Sequence, residues 1–226
     1  MRLAQGESEP APADGEVDSP SLADVHTAQR RIARSISKTP LERSVWLSQW
    51  TGVEVFLKLE CWQRTRSFKM RGAAHAVAAL PSDARVRGLV TASAGNHGQA
   101  VALAAAEAGI SATIFVPSDA PRTKKARIRG YGAALEEEQP NYDEAERAAI
   151  AFARERGALF VHAFSDPAVV AGQGTVGLEI LEQLPTVREI IVPVGGGGLI
   201  GGIGVVTVSA GRGIRVIGVQ GSQTNA

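Results

Sequence analysis

The chain has 226 residues, with 24 Lys+Arg against 23 Asp+Glu and a formal charge of +1. That balance gives no electrostatic reason to bind nucleic acid or an anionic membrane surface, and no apolar run approaches the roughly 20 residues of a membrane-spanning helix. An apolar content of 44% suits a globular protein with a real core, and the single cysteine, Cys61, excludes an intrachain disulfide and fits a reducing, cytoplasmic setting.

Residues 1–20 carry Glu7, Glu9, Asp14, Glu16 and Asp18 against Arg2, together with Pro10, Pro12 and Pro20. Such a segment cannot bury enough apolar surface to offset its ordering entropy, so a disordered acidic tail is expected. Ser21 and Asp24 read as the N-cap and first-turn acid of an amphipathic helix bearing Leu22, Val25, Ile32 and Ile36, running to about Ser37 before Pro40. A short helix near 44–50 follows. From there strand patterns at 53–59, 86–91, 112–116, 159–162, 189–194 and 215–219 alternate with helical patterns. The helices are expected at 68–80, 97–107, 122–129, 142–156, 169–184 and 200–210. Strands such as Ile190-Ile191-Val192-Pro193-Val194 are unbroken apolar runs, as in parallel sheets covered on both faces. The expected class is α/β, with open, mostly parallel αβα sheets. Glu136-Glu137-Glu138 reads as a solvated face and Cys61 as a small buried hydrophobe. The final strand has no helix after it, the pattern expected of a C-terminally truncated sheet.

Ligands of open α/β sheets bind beyond the carboxyl ends of strands, and three segments hold that position. Lys69, in Ser67-Phe68-Lys69-Met70-Arg71-Gly72-Ala73, stands near a strand-to-helix junction beside an aromatic ring. Desolvation there lowers an amine's pKa and makes it a nucleophile toward carbonyls. Ser93-Ala94-Gly95-Asn96-His97-Gly98 joins small residues to a helix start, which suits a carboxylate or phosphate. Asn96 adds an amide able to bond a phenolic oxygen. Gly195-Gly196-Gly197-Gly198-Leu199 joins a strand to a helix N-terminus, the layout of a phosphate cradle.

The same glycines match G-x-G-x-x-G through Gly196, Gly198 and Gly201, which raises a rival: a dinucleotide-binding or other non-catalytic metabolite-binding module. That fingerprint needs an acid about 20 residues on, at the end of the next strand. The next strand ends at Val219 and Gln220 follows, with neither Asp nor Glu after it. His26, His75, His97 and His162 show no metal-ligand spacing among themselves or with Cys61, so no metal is expected.

The order and spacing of Thr39-Pro40-Leu41, Lys58-Leu59-Glu60, the Lys69 segment, the Asn96 segment, Tyr131-Gly132-Ala133, Ala171-Gly172-Gln173-Gly174-Thr175, the glycine loop and Ile217-Gly218-Val219 resemble the fold-type II pyridoxal-phosphate enzymes. Within them the chain is most similar to the branch of threonine dehydratases (threonine ammonia-lyases), serine dehydratases and serine racemases, from about Ser21 to Gln220. The resemblance implies pyridoxal 5'-phosphate held as a Schiff base on Lys69, packed by Phe68 and bonded at its ring hydroxyl by Asn96. It implies a phosphate site at Gly195, Gly196, Gly197, Gly198 and Leu199, and a substrate-carboxylate loop of Ser93, Ala94, Gly95, Asn96 and His97. It also implies two lobes: 21–84 with 165–226 as a large, incomplete one, and 85–164 as a small one.

The implied activity is β-elimination of L-threonine or L-serine to a 2-oxo acid and ammonia, in amino-acid metabolism such as isoleucine biosynthesis. The implied assembly is a homo-oligomer, dimer or tetramer, acting on a small-molecule amino acid without nucleic acid or membrane. Four positions depart from the pattern. Serine racemases carry a serine, the base on the opposite ring face, where Ala94 stands, and this favours dehydration over racemisation. Their metal-binding glutamate corresponds to Gln220. Arg66 stands where many relatives have glycine, and Cys61 where many have asparagine. The family continues for roughly another hundred residues, which include the partner of the pyridine nitrogen.

Overall fold

The computed structural model describes residues 19–93 and 95–222. The expected acidic tail, apart from Ser19 and Pro20, therefore lies outside the described residues, as does Ala94. Helix α1 (Leu22–Ile32) starts in a reciprocal capping box: the Asp24 N–H donates to the Ser21 hydroxyl and the Ser21 N–H to the Asp24 carboxylate. It stops short of Ser37, whose N–H donates instead to the side chain of Gln63 at 2.9 Å. Two short strands, β1 (Leu41–Arg43) and β2 (Phe56–Lys58), pair antiparallel around α2 (Val45–Thr51), which ends at Gly52 in the left-handed region. The strand expected over 53–59 thus shrinks to three residues. A 3-10 turn (Glu60–Trp62) then leads to α3 (Lys69–Ala78) and α4 (Ser82–Arg87). Cys61, in that turn, is exposed rather than buried.

The central unit is a four-stranded parallel sheet of β3 (Leu89–Ala92), β4 (Ala112–Pro117), β5 (Ala134–Gln139) and β6 (Leu159–Phe160), in the order β5-β4-β3-β6. Between them run α5 (Asn96–Ala108), α6 (Arg122–Gly130) and α7 (Tyr142–Arg156). Alternation along the strands sorts the core into two faces. Leu89, Ala112, Ile114 and Val116 pack with α3, α5 and α6, while Val90, Ala92 and Phe115 pack with Ala145, Ala149 and Ala153 of α7. The chain leaves β3 toward β4 on one side and returns through β6 on the other. The carboxyl ends of β3 and β6 therefore flank a topological switch point, where doubly wound sheets hold ligands.

Two expectations change here. Val86, expected to open a strand, lies exposed in α4, and β3 starts only after Gly88 turns the chain at φ 84°. The run Glu136-Glu137-Glu138 belongs to the edge strand β5, with Glu137 bonded to Arg129 at 3.0 Å, rather than to a merely solvated face. Three adjacent acids hide strand periodicity, and only the pairing with β4 reveals it.

The chain then continues through α8 (Pro167–Gln183), β7 (Glu189–Pro193), α9 (Gly198–Ser209) and β8 (Arg215–Val219), with β7 and β8 parallel. Helix α8 is sandwiched by glycine contacts on both sides. A β-carbon on Gly172 would meet the Gly72 Cα of α3 at 2.6 Å, and one on Gly202 of α9 would meet the Gly174 backbone nitrogen at 2.5 Å. Only bare backbone lets the three helices approach this closely.

Arg71, fully buried on α3, ties these parts together. Its guanidinium donates at 2.8 Å to each Glu60 oxygen and at 2.7 and 2.9 Å to Glu179 of α8. Glu179 also takes the Lys58 ammonium of β2 at 2.6 Å, and Lys58 donates to the Thr39 carbonyl at 2.7 Å. Two cations and two carboxylates close a neutral, bidentate cluster, which is how buried charges are tolerated. Burial works against the charged forms, but the facing charges outweigh it, so Arg71 is raised and Glu179 lowered from their ordinary values. Removing one partner strands the rest. Arg71→Met is expected to lower unfolding stability by about 3–5 kcal/mol in urea titrations. Arg71→Lys should recover only part of the loss, because an ammonium cannot fork onto both carboxylates.

Candidate active site

Helix α3 begins at Lys69, so its side chain leaves the helix at the first turn. The Lys69 Nζ donates to the Ala163 carbonyl at 2.8 Å and lies 5.3 Å from the centroid of the Phe68 ring. No carboxylate pairs with it among the described residues, and burial holds its pKa below the ordinary lysine value. Just upstream, Arg66 has φ 62°, and it is the single non-glycine residue at positive φ among the described residues. That geometry explains why a glycine is the easier occupant of position 66.

Ala163 lies in the loop that follows β6, at the switch point. The loop is shaped by His162, whose Nδ1 accepts the N–H groups of Phe164 and Ser165 at 3.3 and 3.2 Å. That arrangement puts the ring proton on Nε2, which faces Glu146 at 3.4 Å. The Phe164 ring stands edge-on to His162 at 4.5 Å and supports the glycine loop. A β-carbon at Gly196 would fall 2.2 Å from that ring, and one at Gly198 would fall 2.8 Å from the Phe164 carbonyl. Gly195 and Gly197 have no atom within 4 Å of such a position, and Gly197 caps α9 at φ 83°. The loop therefore has two functions: Gly196 and Gly198 pack, while Gly195 and Gly197 hold backbone open at a helix N-terminus. A cavity of about 210 Å³ adjoins it, lined in part by Phe164, Gly197, Gly198 and Gly201.

The asparagine loop stands beyond β3, on the other side of the switch point. Gly95 is the N-cap of α5, its N–H donates to the Ser93 hydroxyl at 3.1 Å, and Asn96 is exposed. Ala94 is outside the described residues. A β-carbon at Gly98 would meet the Ser93 carbonyl at 2.8 Å, which keeps the turn tight. His97, with its side chain buried, offers a ligand only its backbone. Its Nε2 faces the Val161 carbonyl at 3.4 Å. Burial, with the Lys69 charge nearby, pushes its pKa down to about 3, so the ring is neutral at physiological pH.

The structure thus gathers Lys69, Phe68 and the glycine loop around the 161–166 segment, with the asparagine loop across the switch point from it. Val161, Ala163 and Phe164 are the residues that sequence reasoning missed. The available signal was the carboxyl end of the strand pattern at 159–162, a position that favours ligands as much as the other two loops. A larger cavity, about 750 Å³, lies elsewhere, between β2 and β7, lined by residues such as Leu47, Val53, Leu57, Leu184, Val187 and Ile191. Its lining offers neither Lys69 nor a glycine of the loop, so size does not mark the chemistry here.

A desolvated lysine amine and a glycine loop at a helix N-terminus, both near the carboxyl ends of parallel strands, are the elements that an aldehyde-bearing phosphate cofactor would need. Comparison with known proteins agrees. Residues 32–226 match the family of pyridoxal-phosphate dependent enzymes, and the chain belongs to that family. It is 50% identical over 200 residues to an L-threonine ammonia-lyase of Thermotoga maritima, covering 88% of this chain and 50% of the relative. It is 46% identical over 201 residues to the catabolic L-threonine dehydratase TdcB of Staphylococcus aureus, covering 88% of this chain and 58% of that one. Among solved structures, a T.th. threonine deaminase superposes with a TM-score of 0.83 at 40% identity, over 89% of this chain and 65% of that one. The serine racemase of Dictyostelium discoideum gives 0.86 at 35%, over 90% and 66%. The chain spans about half the length of the curated relatives it matches. The cofactor is accordingly pyridoxal phosphate, and the α/β class with parallel sheets holds. Among the described residues no helix is long and apolar enough to cross a membrane.

Two outcomes follow from the geometry. Gly196→Ala should cost about 1–3 kcal/mol of stability by overpacking against Phe164, whereas Gly195→Ala should leave the thermal midpoint unchanged. His97 takes up its proton more readily in the unfolded chain, near its ordinary value of 6.5, than in the fold, near 3. The stability it contributes is therefore intact above that ordinary value and lost as pH falls toward the folded one, at up to ~1.4 kcal/mol per pH unit. Comparing unfolding of wild type and His97→Gln across that range should show the difference between their slopes.

Proposed function

We propose that the protein dehydrates and deaminates L-threonine, L-serine or both to the 2-oxo acid and ammonia by β-elimination. The observation that carries the reading is the Lys69 amine, desolvated, without a counter-ion among the described residues, and held 2.8 Å from the Ala163 carbonyl beside the Phe68 ring. The residues present fit the cofactor: the open backbone at Gly195 and Gly197, with the α9 N-terminus and Leu199 behind it, has room and donors for a phosphate. When bound, pyridoxal phosphate supplies an electron sink for the pair left at the α-carbon.

The chain's own residues do the rest. Lys69 would hold the cofactor at Nζ and is the group placed to accept the substrate α-proton at the same atom. Burial lowers its pKa and so favours the neutral amine relative to an exposed lysine. Phe68 would back the cofactor ring, and the exposed Asn96 amide would be available to the ring hydroxyl. Ser93, Ala94, Gly95, Asn96 and His97 receive the substrate carboxylate, with the free first-turn N–H groups of α5 as donors. The neutral His97 ring fills the space beneath. Ala94 offers no second proton-transfer group, which favours elimination over racemisation. The sequence relatives at 44–50% identity, named L-threonine ammonia-lyase or L-threonine dehydratase, support the same choice. A small lobe over 85–164, facing a larger one from 21–84 and 165–226, and a homo-oligomeric assembly in the cytoplasm belong to this proposal.

The loaded protein should be yellow, and borohydride should leave the pyridoxyl group on the peptide that contains Lys69. Lys69→Ala should be colourless after borohydride and dialysis, with turnover down by at least the ~10²–10⁴-fold that a lost proton-transfer group costs. Gly195→Ala should fold normally yet bind the cofactor weakly. Full dehydratase turnover in Lys69→Ala, or a protein that takes a dinucleotide instead of pyridoxal phosphate, would sink the reading.

A further inference from the structure

We propose that Lys124 is a substrate-binding residue whose ammonium supplies the charge that pairs with the carboxylate of the amino acid at the asparagine loop. This rests on the amino-acid elimination proposed above and adds a residue to it. Lys124 lies in the first turn of α6, beyond the carboxyl end of β4, the strand next to β3. Its Nζ sits 3.6 Å from the position a β-carbon would take on Gly95, the N-cap of α5. The ammonium therefore rests against the bare backbone of the loop whose N–H groups open toward the ligand.

Its surroundings are what single it out. The first turn of α6 holds no acid, so a cation there stands at the positive end of the helix dipole without compensation. The neighbouring Lys125 is satisfied by the Ser118 carbonyl at 2.7 Å and Glu137 at 3.4 Å. Lys124 is half-buried and makes no side-chain hydrogen bond or ion pair among the described residues. A cation held against two helix N-termini, with no protein anion in reach among those residues, sets up a field that an incoming carboxylate completes. The absence of a side chain at Gly95 leaves that approach uncovered.

The test is a spectral titration of the cofactor-loaded protein with L-alanine, which has the carboxylate but no β-hydroxyl to lose, and with isopropylamine, which has the amine alone. In Lys124→Met the apparent dissociation constant for L-alanine should rise on the order of tenfold or more, as expected for a lost charge-assisted bond. The constant for isopropylamine should stay at the wild-type value, and Lys124→Arg should recover most of the L-alanine affinity. For L-threonine turnover, the change should appear in KM with kcat nearly constant. Unaltered L-alanine binding in a folded Lys124→Met protein overturns the proposal while leaving the elimination reading intact. Equal weakening toward L-alanine and isopropylamine overturns it too, because it would mark a merely structural residue. A wild-type protein that responds to no amino acid removes both.

Discussion

The Arg71 guanidinium, shared between Glu60 and Glu179, is the contact on which the rest of the arrangement depends. It lies two residues beyond Lys69 on the same helix, so the α3 N-terminus cannot shift without breaking bonds to two other segments. Those bonds reach the 3-10 turn after β2 and the middle of α8, and Lys58 extends the network to Thr39. Charges this deeply buried gain little stability over an apolar core of the same shape, but they are unforgiving of displacement. The cluster thus acts as a register pin. It sets where α3 begins, and so where the Lys69 amine emerges.

The site itself belongs to no single sheet. Lys69 comes from α3, the glycine loop proposed to cradle phosphate from the β7–α9 junction, and the asparagine loop proposed to take the substrate from the β3–α5 junction. The loop after β6 joins them: its Ala163 carbonyl meets the amine, and its Phe164 ring fills the space that Gly196 leaves. Desolvation does the chemical tuning. It lowers Lys69 toward the neutral amine and keeps His97, in the asparagine loop, uncharged, so that the nearby cations do not stack up against one another.

Much of this was legible in the residues. The long helices and the apolar strands declared themselves by period, and α7 and β8 fall on the expected residues. Lys69, Asn96 and the four glycines stood out because each breaks a local rule at a strand's carboxyl end. The failures share a physical origin. Strand β5 was hidden because Glu136, Glu137 and Glu138 carry no apolar alternation, and an edge strand with its charges paired to α6 needs none. Val86 was drawn into a strand by its β-branched side chain, although the local helix ends only at Gly88. Cys61 was placed inside by its residue type, whereas a 3-10 turn holds it at the surface.

By itself the sequence determined the alternation of elements, the glycines that let α8 approach α3 and α9, and the residues chemically able to hold a phosphate and an amine-reactive cofactor. These are local properties, set by side-chain period, backbone freedom and functional-group type. Tertiary structure alone decided which of them meet. The partners of Arg71, the carbonyl that receives Lys69, the ring under Gly196 and the Lys124 ammonium beside Gly95 are brought together across the chain rather than along it. Such pairings depend on crossover direction and helix approach, which no window of sequence encodes, because the same period is compatible with many packings until the buried charges and bare glycines select one.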